Sequence, residues 1–480
     1  MERIQMYVNG TWVEAKNGDV IEVKNPANGE LITTIPRGTE ADVNEAVRAA
    51  RSAFNQKEWV MIKPHERGEL LMKVAAKMKN ERDELAKLET LDVGKPLTQG
   101  YADVDAAIRY FEFYGGAADK VMGETIPIED GMIDYTVREP VGVTAHIIPW
   151  NYPIQIISRS VAAAIATGNT VVVKSAEDTP MTANKMTEYF HELGLPNGVF
   201  NHVTGYGHEA GAALCSHPHI QHITFTGSVP TGKTVMKLAA ENVVPVTLEL
   251  GGKSPNIVFS DCDVEKTVET VVRSIIQNAG QTCSAGSRLI IEESFKDQFL
   301  EKVVSKFESL KIGPGIEDSD VGPILNKKQF DRILGMIDRA KSDGRLITGG
   351  ERVLIKGCEN GFYIKPTIFD EVPYECEIAQ EEVFGPVLTV LTFKDEEEAL
   401  KLANSTDYGL VTGIWTSNIN RAHKLAHSVE SGQVFINNYG AGGGVQMPFG
   451  GYKRSGFGRE KGFIALYNYT QLKNIAIKFQ

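Results

Sequence analysis

Apolar and polar residues alternate over short distances at the start of the chain and recur at helical spacing further on. The first forty residues alternate and are broken by Asn-Gly and Pro turns, which predicts short β-strands. Thr39 is a helix-start residue, and Val43, Val47 and Phe54 follow it at helical spacing. Pro64 opens a second amphipathic helix. The chain therefore begins with strands and continues with helices that bury one face.

From residue 141 onward the sequence pattern alternates regularly between strands and helices. Apolar segments of strand length, such as GVTAHII, TVVVK and HITFT, are separated by helical segments such as IQIISRSVAAAIATG. Because buried parallel strands are continuously apolar, this predicts a doubly wound sheet with a nucleotide site at the carboxyl ends of its strands. A second series follows TLELGGKSP, with a helix over VEKTVETVVRSIIQNAG. We expect an α/β fold with a Rossmann-like domain and a second α/β domain, which agrees with a length of 480 residues.

Two segments fit neither series. TIPIEDGMIDYTVREP has the pattern of a long hairpin, and YTQLKNIAIKF has that of a terminal strand. Exposed strands usually need an edge to pair with. We therefore expect these two segments to meet in a subunit interface of a homodimer or homotetramer.

Composition narrows the class of protein. The formal net charge is −12 with acids and bases interspersed, which disfavours nucleic acid as a main partner. The five cysteines are odd in number and show no CxxC spacing, which favours a reducing compartment without a zinc or other metal site. We find no signal-peptide pattern and no apolar stretch long enough to span a membrane. We therefore expect a soluble, cytoplasmic protein.

Cys283 is the first candidate for chemistry. It lies in NAGQTCSAGSR, at a helix-to-strand junction where Gly280 and Gly286 allow the backbone to approach a ligand closely. This context suits a nucleophilic thiol. A buried structural cysteine is the common alternative, and the local sequence leaves it open.

Two further polar residues end buried strands or follow them. Glu249, in TLELGGKSP, ends a strand and would act as a general base if its surroundings raised its pKa. Asn151, in PWNYP, is held between two prolines and offers an amide N–H of the kind an oxyanion needs. A solvated strand-end glutamate and an ordinary turn asparagine are the structural alternatives.

Glycine-rich loops and a charged pair follow other strands of the first series. Residues 227–234 match the P-loop pattern formally, but no acidic strand end supplies an obvious magnesium ligand. Either kind of loop would place a helix N-terminus beside phosphate. Lys174 and Glu177 lie at another strand end, where Glu177 suits a ribose diol, with a surface ion pair as the alternative.

Together these stretches resemble the aldehyde dehydrogenase superfamily over nearly the whole chain. The matching motifs, in the family's order and spacing, are PWNYP, VVVKSAED, FTGSVPTGK, LELGGKSP, GQTCSAGSR, EEVFGPV and PFGGYKRSG. Seven ordered motifs are highly specific, and they exclude the P-loop interpretation. The resemblance implies NAD-dependent oxidation of a small aldehyde to a carboxylic acid.

The resemblance also implies roles for individual residues. Cys283 matches the nucleophile that forms a thiohemiacetal and then a thioester, and Asn151 with the Cys283 backbone N–H matches the oxyanion donors. Glu249 matches the base that activates water. Residues matched to the cofactor are Pro149, Trp150, Lys174, Ala176, Glu177, Gly207, Gly211, Phe225, Thr226, Gly227, Ser228, Leu250, Gly251, Glu382 and Phe384. Glu177 favours NAD over NADP, because its charge would repel the additional phosphate.

The family's three-part fold gives the expected domain boundaries. The resemblance places an NAD-binding domain at 1–119 and 142–251 and a catalytic domain at 252–450. The remaining segments, 120–141 and 466–480, match its β-strand oligomerisation arm.

The motifs determine the identity of the substrate less closely than the type of reaction. Residues matched to the substrate tunnel are Tyr152, Arg159, Gln277, Thr282 and Ser284. Arg159 occupies a position where succinic-semialdehyde enzymes bind a distal carboxylate, which suggests an anionic or polar far end, although a structural pair with a glutamate fits equally well. Gln277 replaces the aromatic residue of betaine-aldehyde enzymes, which disfavours a cationic substrate. GQTCSAGSR itself resembles the betaine-aldehyde branch, so betaine aldehyde stays an alternative. The glycine-rich loop 437–451 suggests an adaptable tunnel wall, and an aromatic aldehyde remains an alternative.

Particular residues argue against three rival functions. A CoA-acylating relative would lack the base matched by Glu249. A structural or binding protein derived from the family would not need the intact Cys283, Asn151 and Glu382. A cysteine hydrolase would need a histidine beside Cys283, and none lies near it in sequence.

Overall fold

The computed structural model describes residues 3–440 and 444–479. The strands are β1 (Met6–Val8), β2 (Thr11–Val13), β3 (Val20–Lys24), β4 (Leu31–Pro36), β5 (Thr125–Ile126), β6 (Met132–Pro140), β7 (Val143–Ile147), β8 (Thr170–Lys174), β9 (Phe200–Val203), β10 (His222–Thr226), β11 (Val246–Glu249), β12 (Pro255–Val258), β13 (Arg288–Glu292), β14 (Arg345–Thr348), β15 (Arg352–Val353), β16 (Tyr363–Ile364), β17 (Thr367–Asp370), β18 (Val387–Phe393), β19 (Tyr408–Gly409), β20 (Val411–Trp415), β21 (Gln433–Ile436), β22 (Tyr452–Lys453), β23 (Gly456–Phe457) and β24 (Thr470–Lys478).

The helices are α1 (Glu40–Phe54), α2 (Lys57–Val60), α3 (Pro64–Asn80), α4 (Arg82–Val93), α5 (Leu97–Ala117), α6 (Pro153–Ala166), α7 (Met181–Glu192), α8 (Ala212–Cys215), α9 (Val229–Ala240), α10 (Val264–Ile276), α11 (Lys296–Glu308), α12 (Lys327–Ala340), α13 (Glu377–Gln380), α14 (Glu396–Ala403) and α15 (Ile419–Ser428). Among the described residues, no helix is both long and apolar enough to cross a membrane.

The first large sheet has the order β2-β1-β9-β8-β7-β10-β11-β23. Its five central strands, from β9 to β11, are parallel, and antiparallel strands flank them on both sides. The chain runs outward from β7 to β9 and then returns to place β10 on the other side of β7. In open α/β sheets ligands bind at such a reversal, so the crevice at the carboxyl ends of β7 and β10 is the expected site.

Helices cover both faces of this sheet. On β8, Val171 and Val173 pack into one apolar core with α6, α3 and α5, whereas Val172 packs into another core with α1 and α9. Alternate side chains of a strand point to opposite faces, so a sheet covered on both sides requires an apolar residue at each position. This explains why valine fills the middle of TVVVK; HITFT is also buried throughout, but His222, Thr224 and Thr226 make its alternate positions polar.

The second large sheet has the order β14-β17-β18-β13-β12-β20-β21, and all its neighbours except β14 and β17 are parallel. Its strands also divide between two cores. Leu289 and Ile291 face α10, α11 and α12, and Ile290 faces α14 and α15. The sequence predicted only the first elements of this unit.

A third sheet, β24-β6-β5, joins the two segments that fit neither α/β series. β24 pairs antiparallel with β6 from Thr470 opposite Pro140 to Lys478 opposite Met132. The predicted hairpin and terminal strand are both present, and they pair with each other. We call this sheet the arm.

One helix boundary was predicted wrongly. The helix expected to continue through Gly280 ends at Ile276, and a 3₁₀ turn covers Gln277–Gly280. Asn278 and Ala279 have positive φ angles of 49° and 53°, which a continuous α-helix cannot contain. The predicted domain boundaries stay predictions, and their residues 1, 2, 441–443 and 480 lie outside the described part of the chain.

Candidate active site

A cavity of about 460 Å³ opens at the carboxyl end of the first sheet. It lies at the reversal between β7 and β10, where residues from the second sheet and its connections close it. The residues predicted from the sequence that line it are Pro149, Trp150, Asn151, Tyr152, Arg159, Thr226, Gly227, Ser228, Glu249, Gly251, Gln277, Thr282, Cys283, Ser284, Glu382 and Phe384. The structure therefore brings all three predicted catalytic residues and all five predicted substrate residues to one cavity.

The sharp turn after α10 places Cys283. The helix stops at Ile276, and the left-handed residues Asn278 and Ala279 redirect the chain into the cavity. Gly252, three residues after Glu249, packs directly on this turn: a Cβ at Gly252 would lie 2.4 Å from the carbonyl oxygen of Cys283. The strand end that carries Glu249 and the turn that carries Cys283 are therefore in contact.

Asn151 is tied to the same turn. Its Nδ2 donates to the backbone carbonyl oxygen of Gln281 at 3.0 Å. The backbone carbonyl oxygen of Asn151 accepts from Asn278 Nδ2 at 3.1 Å. A side-chain amide has two N–H groups, so one donor is used to fix the side chain and a second remains. The arrangement suits an amide that is aimed at a reacting oxygen.

A buried cluster supports Asn151 from behind. Lys95 Nζ donates to the Asn151 carbonyl oxygen at 2.9 Å and to Glu89 Oε1 at 3.1 Å, and it also pairs with Asp103. Lys95, Glu89 and Asp103 are all buried. Tyr152 lies with its ring 4.1 Å from the ammonium group. This cluster was not predicted from the sequence.

Glu249 ends β11 and is 1% exposed, so the solvated alternative is wrong. Burial raises its pKa well above the ordinary value, and the negative charge of Glu460 raises that pKa further. No side-chain hydrogen bond to either oxygen is found within the described residues. A buried carboxyl group in this state is a stronger base than a solvated one, as general-base catalysis requires.

The thiol of Cys283 is also shifted. Burial raises its pKa to about 12, and the charge of Glu382 adds to the rise, whereas Arg159 and Lys461 lower it. The neutral thiol is favoured, so the thiolate must be generated by transferring the proton to a neighbouring base.

Arg159 has a partner. Its guanidinium forms an ion pair with Glu460, whose other oxygen accepts from Thr224 Oγ1 at 2.5 Å. Arg159 also lies over the ring of Phe449, with 5.4 Å to the centroid. Of the two roles that the sequence left open for Arg159, the structure shows the pair with a glutamate.

The predicted cofactor residues fall into two groups. Glu382, Gly251 and Phe384 are in the cavity: Glu382 Oε1 accepts from Gly252 N at 2.9 Å, and Phe384 packs edge-on against Trp150. A Cβ at Gly251 would lie 2.4 Å from Glu382 Oε2, so only glycine allows the two to approach. Burial raises the pKa of Glu382 to about 7.

The second group lies outside the cavity lining. Lys174 Nζ pairs with Glu177 Oε2 at 2.8 Å at the carboxyl end of β8. Gly207 and Gly211 bound a helical turn after β9, and a Cβ at either would meet no atom within 4 Å. The other members of this group are Ala176, Phe225 and Leu250, which are buried. These residues lie at the carboxyl ends of strands in the first sheet or in the turns that follow them.

Sequence reasoning missed several cavity residues. Glu381, Phe449 and Lys461 come from connections without helical or strand periodicity. The others lie in regular elements: Gln155 in α6, Gln329 and Arg332 in α12, and Tyr408 in β19. The consecutive charges of GREKG, after a glycine-rich loop, were the available signal for Glu460 and Lys461. Part of the predicted adaptable loop, residues 441–443, lies outside the described residues.

Two rival chemistries gain no support from this lining. Among the described residues that form the cavity there is no histidine, which a cysteine hydrolase would place beside its nucleophile. Within 3–440 and 444–479 no cluster of histidine, cysteine and acidic residues is arranged to hold a metal ion.

Comparisons with known proteins agree with this geometry. The model of the aldehyde dehydrogenase family matches residues 12–475. The hydroxyisobutyraldehyde dehydrogenase of Mycolicibacterium austroafricanum is 42% identical, with 99% of this chain and 94% of that protein covered. The betaine aldehyde dehydrogenase of Bacillus subtilis (strain 168) is 41% identical, with 98% and 96% covered. The NAD⁺ complex of an aldehyde dehydrogenase from Bacillus cereus superposes with a TM-score of 0.97 at 41% identity, with 100% and 97% covered.

The raised pKa of the Cys283 thiol predicts how its reactivity depends on pH. Below a pKa of about 12 the thiolate fraction rises with pH, so we expect alkylation by iodoacetamide to accelerate about tenfold per unit between about pH 7 and 9. Cys283→Ala reports the background from the other thiols. A rate that stays constant over this range would mean that the thiolate is already formed.

Removal of Lys95 tests the support of Asn151. Lys95→Met leaves Glu89 and Asp103 buried without their cation, so we expect the free energy of unfolding to fall by about 3–5 kcal/mol. Urea unfolding measures the loss. Lys306→Met, on the exposed side of α11, is the matched control and should change stability by about 0.5 kcal/mol or less. Equal stability of the two variants would contradict a structural role for the cluster.

Proposed function

The chain belongs to the aldehyde dehydrogenase family, and from this premise we propose that it oxidises an aldehyde to a carboxylic acid with NAD through a thioester on Cys283. The family and the α/β fold class expected from the sequence are confirmed, and the protein is an oxidoreductase. The observation that carries the proposal is the meeting of Cys283, Asn151 and Glu249 at one cavity.

The first step forms a bond between Cys283 Sγ and the aldehyde carbon. Glu249 accepts the thiol proton, which its raised pKa favours. The carbonyl π electrons move to oxygen, and the free N–H of Asn151 Nδ2 and the backbone N–H of Cys283 stabilise the oxyanion. Such a donor is typically worth about 3 kcal/mol of barrier.

The fit to NAD rests on residues near the carboxyl ends of the strands in the first sheet. Glu382, next to Gly251, would hold the nicotinamide ribose, and Glu177 would hold the adenosine ribose. Ser228 caps α9 beside the cavity, and the first N–H groups of that helix suit a pyrophosphate. When bound, NAD supplies the hydride acceptor that oxidises the thiohemiacetal to the thioester.

The last step releases the acid. Glu249 first releases the thiol proton to solvent, and as a carboxylate it then takes a proton from water while the water oxygen attacks the thioester carbon. The bond from that carbon to Sγ breaks, and its electron pair leaves with Sγ as the thiolate. The carboxylate of Glu249 therefore favours water over CoA as the acyl acceptor.

We propose a substrate whose far end is polar or anionic. Arg159 and Lys461 place two cationic groups in the cavity wall, which disfavours a trimethylammonium group such as that of betaine aldehyde. Because Arg159 already pairs with Glu460, its direct contact with a substrate carboxylate is no longer the basis of this proposal. Trp150, Tyr152 and Phe449 keep an aromatic aldehyde as the second candidate.

Substitution of the two catalytic residues tests the chemistry. Cys283→Ala should lower NADH production from succinic semialdehyde or hexanal by more than about 10³-fold and leave NAD binding unchanged. Glu249→Gln should lower steady-state turnover by about 10²-fold or more, because water activation is lost. Absorbance at the NADH band measures both, without CoA. Activity of Cys283→Ala within about tenfold of the wild type would overturn the nucleophile assignment.

We also propose that the arm forms a subunit interface. Leu472, Ile477 and Phe479 leave 58%, 44% and 54% of their surfaces exposed on β24 and just beyond it. Exposed strand edges with apolar side chains are normally covered by a partner. The candidates are a homodimer and a homotetramer.

A charge on the arm tests this interface. Leu472→Glu should lower the mass measured by light scattering toward that of one chain, because a buried unpaired carboxylate opposes association. The matched control is Leu354→Glu, where a leucine that is 68% exposed lies away from the arm. An unchanged mass for Leu472→Glu would place the interface elsewhere.

A further inference from the structure

One cationic residue of the cavity has no part in the proposed chemistry. Lys461 is 4% exposed, yet it lines the same cavity as Cys283, Arg159 and Phe449. Lysine is rarely buried without a purpose, because desolvation of an ammonium group is costly. Its side chain therefore needs an explanation.

The backbone holds Lys461 in an unusual conformation. Its φ angle is 61°, in the left-handed region that residues other than glycine rarely adopt. Hydrogen bonds fix both neighbours: Glu460 N donates to the Phe449 carbonyl oxygen at 2.8 Å, and Gly462 N donates to the Val445 carbonyl oxygen at 2.8 Å. Such conformations persist where the surroundings impose them, often at ligand sites. Here they direct a lysine side chain to the cavity wall.

The charges around Lys461 favour an anion. Arg159 is balanced by its ion pair with Glu460. Glu249 is the other carboxyl group that faces Lys461, and burial raises its pKa well above its ordinary value. The ammonium group lies 5.1 Å from the centroid of the Phe449 ring. Arg159 and Lys461 therefore place two cationic side chains at this end of the cavity, with Glu460 paired to Arg159.

We propose that Lys461 is a specificity-determining residue that binds the far carboxylate of a short aldehyde acid whose aldehyde carbon reaches Cys283. The inference rests on the proposed function, which it deepens by naming the substrate class and the residue that selects it. The bound carboxylate would stabilise the charged form of Lys461, whose pKa burial lowers to about 7. A cationic aldehyde would be repelled from the same position.

Kinetics with two aldehydes of equal chain length test the proposal. Succinic semialdehyde carries the carboxylate, and butanal is its neutral counterpart. Lys461→Met should lower kcat/KM for succinic semialdehyde by about 20-fold or more, mainly through KM, and that for butanal by less than about threefold. Lys461→Arg, which keeps the charge, should recover most of the loss. Lys306→Met is the matched control on the exposed surface and should behave as the wild type.

Protection of Cys283 gives a readout that does not depend on turnover. In the cofactor-free protein, succinate should slow alkylation of Cys283 by iodoacetamide in the wild type and in Lys461→Arg, but not in Lys461→Met. Butanol, a neutral molecule of the same chain length, should protect the wild type and Lys461→Met equally.

The outcomes separate the two proposals. Equal loss on both aldehydes in Lys461→Met, or no loss on either, overturns the role of Lys461 while leaving aldehyde oxidation intact. If the wild type oxidises neither aldehyde with NAD, the proposed function fails for this substrate pair. The protection experiment then decides by itself: protection that is lost only in Lys461→Met supports the anion site, and its absence in the wild type overturns it.

Discussion

Burial of ionisable groups in one cavity is the constraint on which the rest of the site depends. Removal from water raises the pKa of Glu249 and of the Cys283 thiol, and it lowers the pKa of Lys461. Each shift favours the neutral form, so these groups exchange protons with one another more readily than they hold isolated charges. Arg159 is held as an ion, because Glu460 pairs with it. Nucleophile and base therefore have to act as a unit.

The fold produces this proximity through two contacts between chain segments far apart in sequence. The end of β11 packs on the Cys283 turn at Gly252, and the Asn151 side chain donates to Gln281 in that turn. Lys95 then fixes the carbonyl group of Asn151 from the helical layer behind it. Donor, base and nucleophile are thus held by backbone contacts, which gives a rigid arrangement before any ligand binds.

Sequence reasoning succeeded where one physical rule decides the pattern. The strands β8 and β10 were predicted because both of their faces are buried, and α1 because its apolar residues recur at helical spacing. It failed where a conformation is imposed from outside: the end of α10 depends on left-handed residues 278 and 279, which no local signal requires. The partner of Arg159 lies 301 positions further along, in a connection without periodicity, so no local pattern could pair it with Glu460. The catalytic residues came from motif resemblance, because their individual contexts were ambiguous.

The choice of substrate depends on fewer residues than the fold and the catalytic chemistry do. Relatives named for hydroxyisobutyraldehyde, which is neutral, and for betaine aldehyde, which is a cation, are 42% and 41% identical to this chain. Overall identity therefore does not fix the charge of the substrate, and the few side chains at the far wall of the cavity must do so. In this chain residues 444–462, a segment without a helix, contribute Phe449 and Lys461 to the cavity. According to the proposal above, a cation placed there would select the aldehyde while Cys283, Asn151 and Glu249 keep their contacts.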